Sequence, residues 1–296
     1  MVGYFTVMLG WFDQTAIRGL TRFVFDFAVP MLLMRTVSTA KLPEDIPWNF
    51  LASYYLGTMV VLFSWLIITR IMYRITFSEQ VVSAFSCSFS NTVLLGIPLI
   101  LLAFGDQGAL PLFIIIGTHG FVMFPLFTIM MEIGQIGEAP FKTLLTKTSY
   151  GLITNPLVIG LLCGLGFNLL GITLWKPLDE IAKLLGDAVT PGALFALGAT
   201  LAGFRKKIQW KELPLIVLMK IIIHPMLVWV LAEIVFDLKQ AIWIQVLVIL
   251  AALPTGVNPF LFASRYNAGQ LLSSGAVFIS TFISIFTLSA LLSVFR

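Results

Sequence analysis

Two short segments carry the residue types best suited to chemistry. One reads Ser90-Asn91-Thr92-Val93-Leu94-Leu95-Gly96-Ile97-Pro98, the other Pro254-Thr255-Gly256-Val257-Asn258-Pro259. Each sets proline, glycine and small polar side chains in the middle of an apolar run. A proline inside a helix removes one hydrogen bond and clashes with the carbonyl a turn earlier, so it interrupts the helix. Each interruption starts a half-helix whose first N–H groups lack acceptors and carry a partial positive charge. Such ends attract anions. Asn91, Thr92, Thr255 and Asn258 add side-chain donors that a carboxylate can use, and Gly96, Pro98, Gly256 and Pro259 shape the two interruptions. The chemistry expected is non-covalent recognition of a small organic anion rather than of a metal cation.

Ionisable residues at depth are few. Asp26 and Asp187 each precede a proline by four residues, Pro30 and Pro191. An acid inside a membrane span is costly and is a candidate for ion coupling; the bland alternative is a carboxylate that caps or pairs near a helix end. Arg35 lies five residues beyond Pro30. It could grip a second carboxylate in a bidentate fork or reach back to the interface. His119 and His224 stand in different halves with no Cys, Asp or Glu at ligand spacing, so no metal is expected. Lys220 and Glu233 read as boundary residues of one span. Cys87 and Cys163 both lie in apolar segments and read as packing thiols. No His-Glu-x-x-His or Gly-x-Ser-x-Gly occurs and no paired catalytic aspartates face each other, so neither an enzyme nor a cofactor is expected.

These residues need elements to hold them, and the composition says which kind. Fifty-nine per cent of the 296 residues are hydrophobic and only 11% charged, against about 25% charged in soluble domains. Apolar runs of about 20 residues recur throughout, the length that crosses a bilayer as a helix. We read ten spans, at 1–11, 21–39, 49–73, 79–103, 109–132, 149–171, 180–203, 212–236, 241–264 and 270–294. The expected class is an all-α membrane protein. The net charge of +4 belongs to loops and does not imply nucleic acid.

Residues 9–39 also repeat, without a gap, at 170–200: Leu9-Gly10 falls on Leu170-Gly171, Asp26 on Asp187, Pro30 on Pro191 and Thr39 on Thr200. The same shift carries Pro98 onto Pro259. Five spans per copy would turn the second copy upside down, and inverted repeats with matched helix breaks mark secondary transporters. The expected division is 1–137 for the first repeat, 138–148 for a short cytoplasmic linker and 149–296 for the second. The first span is about ten residues shorter than its counterpart, read as an alternative start or a trimmed terminus. Arg18, Arg22, Arg70, Arg74, Lys142, Lys147, Arg205, Lys206, Lys207, Lys211 and Arg265 fall on one side; Arg35, Lys41, Lys176, Lys183, Lys239 and Arg296 fall on the other. The larger basic set marks the cytoplasm, which puts both termini outside.

Asn91 to Leu99, followed by Phe104-Gly105, resembles the fourth-span signature of the auxin efflux carrier family, which includes plant PIN carriers and bacterial permeases for malonate and malate. Ala252 to Phe260 with Tyr266-Asn267 is similar to the family's matching segment. So are Phe27-Ala28-Val29-Pro30, Asn155-Pro156-Leu157 and His224-Pro225. The resemblance covers essentially the whole chain. It implies a ten-helix, elevator-type fold like that of sodium/bile-acid transporters, in which spans four and nine cross and the substrate sits near the crossing, with Asn91 as a contact. The chain departs from PIN carriers in lacking a long central loop, in having Thr255 where they carry Gln, and in having Asn258 where they carry an apolar residue. The function expected is a bacterial inner-membrane permease for a carboxylate such as malonate, malate or an auxin-like acid. A proton- or sodium-coupled carrier using Asp26 or Asp187 is the alternative, and a non-transporting receptor-like bundle a remote one. A homodimer is an open expectation.

Overall fold

The computed structural model describes residues 2–39, 47–136, 150, 153–203 and 211–295. The predicted linker 138–148 and the basic run Arg205-Lys206-Lys207 lie outside the described residues. Helices make up nearly all of the rest, and no strand longer than a single bridge occurs among the described residues. Among the described residues, four helices are each long and apolar enough to cross a membrane: Trp48–Met72, Leu110–Gln135, Leu213–Val235 and Gln270–Phe295. The protein is thus an all-helical, multi-pass membrane protein.

The helices can be taken as two sets that share a buried apolar cluster. In the first, α1 (Val2–Met8) lies against α9 (Lys176–Gly203), and α3 (Val29–Ser38) packs on α9 and on α8 (Pro156–Leu169). Glycine makes these contacts close. A Cβ on Gly160 would stand 2.4 Å from the Pro30 carbonyl oxygen, and one on Gly164 would stand 2.6 Å from that of Met34. Small residues four apart let helix backbones meet, and in lipid such van der Waals contact drives association. Asn155 opens α8, accepting from the Leu157 N–H at 2.9 Å and donating to the Thr128 hydroxyl at 3.1 Å.

The second group holds α4 (Trp48–Met72), α5 (Phe77–Ser88), α6 (Ile97–Phe104) and α7 (Asp106–Ile136). It also holds α10 (Leu213–Leu218), α11 (His224–Val230), α12 (Ala241–Ala252), α13 (Asn258–Arg265) and α14 (Gln270–Phe295). Thr76 and Glu79 close a capping box at the start of α5, where the Glu79 carboxylate accepts from the Thr76 N–H at 2.9 Å. Gly105, at φ +55°, ends α6 in a conformation that favours glycine.

Pro30 and Pro191, matched by the repeat, are accommodated differently. Before Pro30 the helix Gln14–Phe23 (α2) runs into α3 through a π turn, Val24–Ala28. Helix α9 passes through Pro191 with no interruption. Neither proline breaks its span, because each lies in a helix whose flanking turns remain packed against neighbours.

Candidate functional site

The two polar segments meet. Helix α5 stops at Ser88, the chain runs extended at Phe89 and Ser90, and a π turn, Thr92–Gly96, leads into α6. Helix α12 stops at Ala252, and α13 restarts at Asn258. The gaps pair antiparallel, with Ser90 opposite Thr255. The Asn91 N–H donates to the Pro254 carbonyl at 3.0 Å, and the Gly256 N–H donates to the Phe89 carbonyl at 3.1 Å. Backbone groups freed by two broken helices thus satisfy each other where water is absent. Gly256 permits this approach, since a Cβ there would sit 3.0 Å from the Phe89 ring.

The predicted site residues divide into those that hold the crossing and those it leaves open. Thr255, read from the sequence as a substrate donor, belongs to the first kind. It is fully buried, its hydroxyl donates to the Ser86 carbonyl at 2.7 Å, and its N–H donates to Ser280 Oγ at 3.0 Å. Thr92 is buried, and Gly96 packs against Leu250 and Leu253. Pro259 is the buried second residue of α13. Pro98 holds the same place in α6, and its side chain lies outside what is described. Asn91 and Asn258 are half-buried, and their amides make no hydrogen bond among the described residues. Asn91 caps the second half of its span, and Asn258 begins the half-helix opposite.

The charged candidates do not gather there. Arg35 forks onto Asp179, at 2.7 Å from Nε and 3.4 Å from Nη2. Both line a cavity of about 430 Å³ with Asn168 and Lys176, between the ends of α3, α8 and α9. Asp26 pairs with Arg265 at the end of α13, whose guanidinium lies 4.9 Å from the centre of the Phe25 ring. Asp187 is exposed on α9. Next to Arg265, Tyr266 donates to Glu132 at 2.9 Å, and burial followed by the Glu132 carboxylate pushes the Tyr266 phenol above its ordinary range. Among the thiols, Cys87 is buried and Cys163 is exposed. Cys163 is therefore not a core packing residue.

Lys220 is the largest correction. It is not a boundary residue: it is wholly buried against the crossing. Its Nζ donates to Ser90 Oγ at 2.8 Å and to the Ala251 carbonyl at 2.6 Å, and lies 3.2 Å from His224 Nδ1. His224 Nε2 is 3.0 Å from the Thr58 hydroxyl. One signal could have found it. Lys220 and His224 are four apart and so share a helix face, and Lys220 lies seven residues past Leu213, about 10 Å into the span.

Paired helix interruptions at the centre of an apolar bundle make a transporter's architecture, and comparison with known proteins agrees. The profile of the family described as "Membrane transport protein" matches residues 1–292. The chain belongs to this family, that of the auxin efflux carriers. It is similar to a Rhizobium meliloti (strain 1021) protein named "Putative malonate transporter", at 28% identity over all of this chain and 92% of the relative. "Auxin efflux carrier component 8" of Arabidopsis thaliana is 22% identical over 90% of this chain and 86% of its own length. The mouse "Lysosomal cholesterol signaling protein" is 25% identical over 96% of this chain, which spans 35% of that protein. As a member of the membrane transport protein family, the chain is a transporter that takes a small-molecule substrate within a lipid setting.

Proposed function

We propose that this transporter moves a small organic carboxylate across the bacterial inner membrane by alternating access, malonate being the first candidate. The reading takes the chain as ten spans in two inverted five-helix repeats with both termini outside, and the helix group around the crossing as the moving part. One observation carries it: the two interrupted spans are tied at Asn91–Pro254 and Phe89–Gly256, leaving the side-chain amides of Asn91 and Asn258 without partners among the described residues, beside two half-helix starts. An amide donor at a helix N-terminus suits a carboxylate. The names of two relatives, with malonate and auxin in them, support the same substrate class. Gly96, Gly256, Pro98 and Pro259 serve by shape, and Thr255 by holding the crossing.

The test is uptake of radiolabelled malonate by proteoliposomes. The parent chain is expected to take it up, and Asn91→Ala and Pro98→Ala are expected to lose uptake by more than about tenfold, a loss of some 1.4 kcal/mol in transition-state stabilisation, while remaining membrane-inserted. Parent-like rates in both variants would overturn the assignment.

A further inference from the structure

The buried ammonium at the crossing has no anion of its own. Among the described residues the ion pairs are Arg35–Asp179, Lys239–Asp237 and Arg265–Asp26, and no carboxylate reaches Lys220. An unpaired charge in a low-dielectric interior is costly. A merely structural tie between Ser90 and Ala251 would be made more cheaply by a neutral donor. Around Lys220 stand Cys87 of α5, His224 of its own span, His119 of α7 and Tyr54 of α4. None of these is a carboxylate. Among the described residues both nitrogens of His119 are buried and complete no hydrogen bond, and the buried Tyr54 hydroxyl lies beside Ser90.

The hydrogen bonds around Lys220 close in two ways. With Lys220 charged, its three N–H groups go to Ser90 Oγ, the Ala251 carbonyl and His224 Nδ1. His224 Nε2–H then donates to Thr58 Oγ1, whose own proton goes to the Tyr54 carbonyl at 2.8 Å. With Lys220 neutral, two N–H groups keep Ser90 and Ala251, and the free pair on Nζ accepts from His224 Nδ1–H. Nε2 then accepts from Thr58. Lys220 Nζ, both His224 nitrogens and the Thr58 hydroxyl keep hydrogen bonds in both arrangements, so the change of protonation state strands none of these atoms.

We propose that Lys220 carries a transported proton, so that one carboxylate and one proton cross together. The proposal rests on the carboxylate reading above. The anion sits beside Asn91, the residue that follows Ser90, and holds Lys220 in its ammonium form. After the anion leaves, an Nζ–H bond breaks with its electron pair kept on nitrogen, and the proton passes to His224 Nδ1. The ring gives up its Nε2 proton to water on the release side, as hydronium. The carrier returns neutral and empty, and takes a proton from hydronium on the loading side by the reverse relay.

Proteoliposomes with the voltage clamped, loaded and bathed with malonate, test this. The parent chain is expected to accumulate labelled malonate about tenfold for each pH unit imposed, acid outside. Lys220→Arg, charged throughout, is expected still to exchange labelled for unlabelled malonate at a measurable rate but not to accumulate it. Should Lys220→Arg also lose exchange, His224→Gln decides, because an amide cannot shift a proton between two ring nitrogens. It is expected to exchange without accumulating. Exchange by the parent chain without accumulation under the pH gradient, or parent-like accumulation in Lys220→Arg or His224→Gln, overturns the proton assignment alone. A parent chain with neither uptake nor exchange of malonate overturns the carboxylate reading beneath it.

Discussion

Thr255 and Asn91 are both small polar residues at helix breaks, yet their side chains have opposite fates. The Thr255 hydroxyl is spent on the Ser86 carbonyl, and the Asn91 amide is unspent. Thr255→Val should therefore lower stability by about 1 kcal/mol, read as a lower unfolding temperature in detergent, with Thr255→Ser restoring much of it. The same hydroxyl at the same sequence position would have suited a substrate equally well. Only the carbonyl opposite decides. Arg35 teaches a similar lesson, since a fork that could hold a dicarboxylate already holds Asp179. We expect Arg35→Gln to discriminate between mono- and dicarboxylates in uptake competition as the parent chain does. An altered preference would return Arg35 to the substrate path.

Among the elements, a repeated device links proline to local geometry. Pro30, Pro98 and Pro225 each sit at the second position after a π turn, at Val24–Ala28, Thr92–Gly96 and Met219–Ile223. The wider turn relieves the clash with the preceding carbonyl that a proline imposes. The prolines are visible in the sequence, but whether each interrupts, bulges or merely enters a helix is not, as Pro191 demonstrates. What separates them is the neighbour: Pro98 follows a gap that finds a second gap to pair with, and Pro191 does not. Close helix docking makes its own prediction. Gly160→Ala would drive a methyl into the Pro30 backbone, and overpacking of this kind costs about 1–3 kcal/mol. Thermal unfolding of the purified protein should show that loss, and a similar one for Gly164→Ala.

At the scale of the molecule, Asp26 and Arg265 join the two helix groups across 239 positions of sequence. Their pair ties the end of α13, just past the crossing, to the turn before Pro30. If the groups move against each other, that tie must open once per cycle. Asp26→Asn and Arg265→Gln should then change the malonate transport rate in the same direction, and the double variant should match either single one. Additive effects would mean that the two residues act separately.

Composition and periodicity by themselves determined that this chain is a helical membrane protein, because no other solvent suits so apolar a sequence. The residue order also marked two candidate interruptions, where proline, glycine and asparagine fall together inside apolar runs. The tertiary structure alone decided which polar groups face one another: Thr255 onto Ser86, Asp26 onto Arg265, Arg35 onto Asp179, and Lys220 into the crossing. A residue's type tells what it can bond to, but its partner is set by where distant helices pack. At the centre of a bilayer, with no water to fall back on, the choice of that partner decides whether a side chain is structure or site.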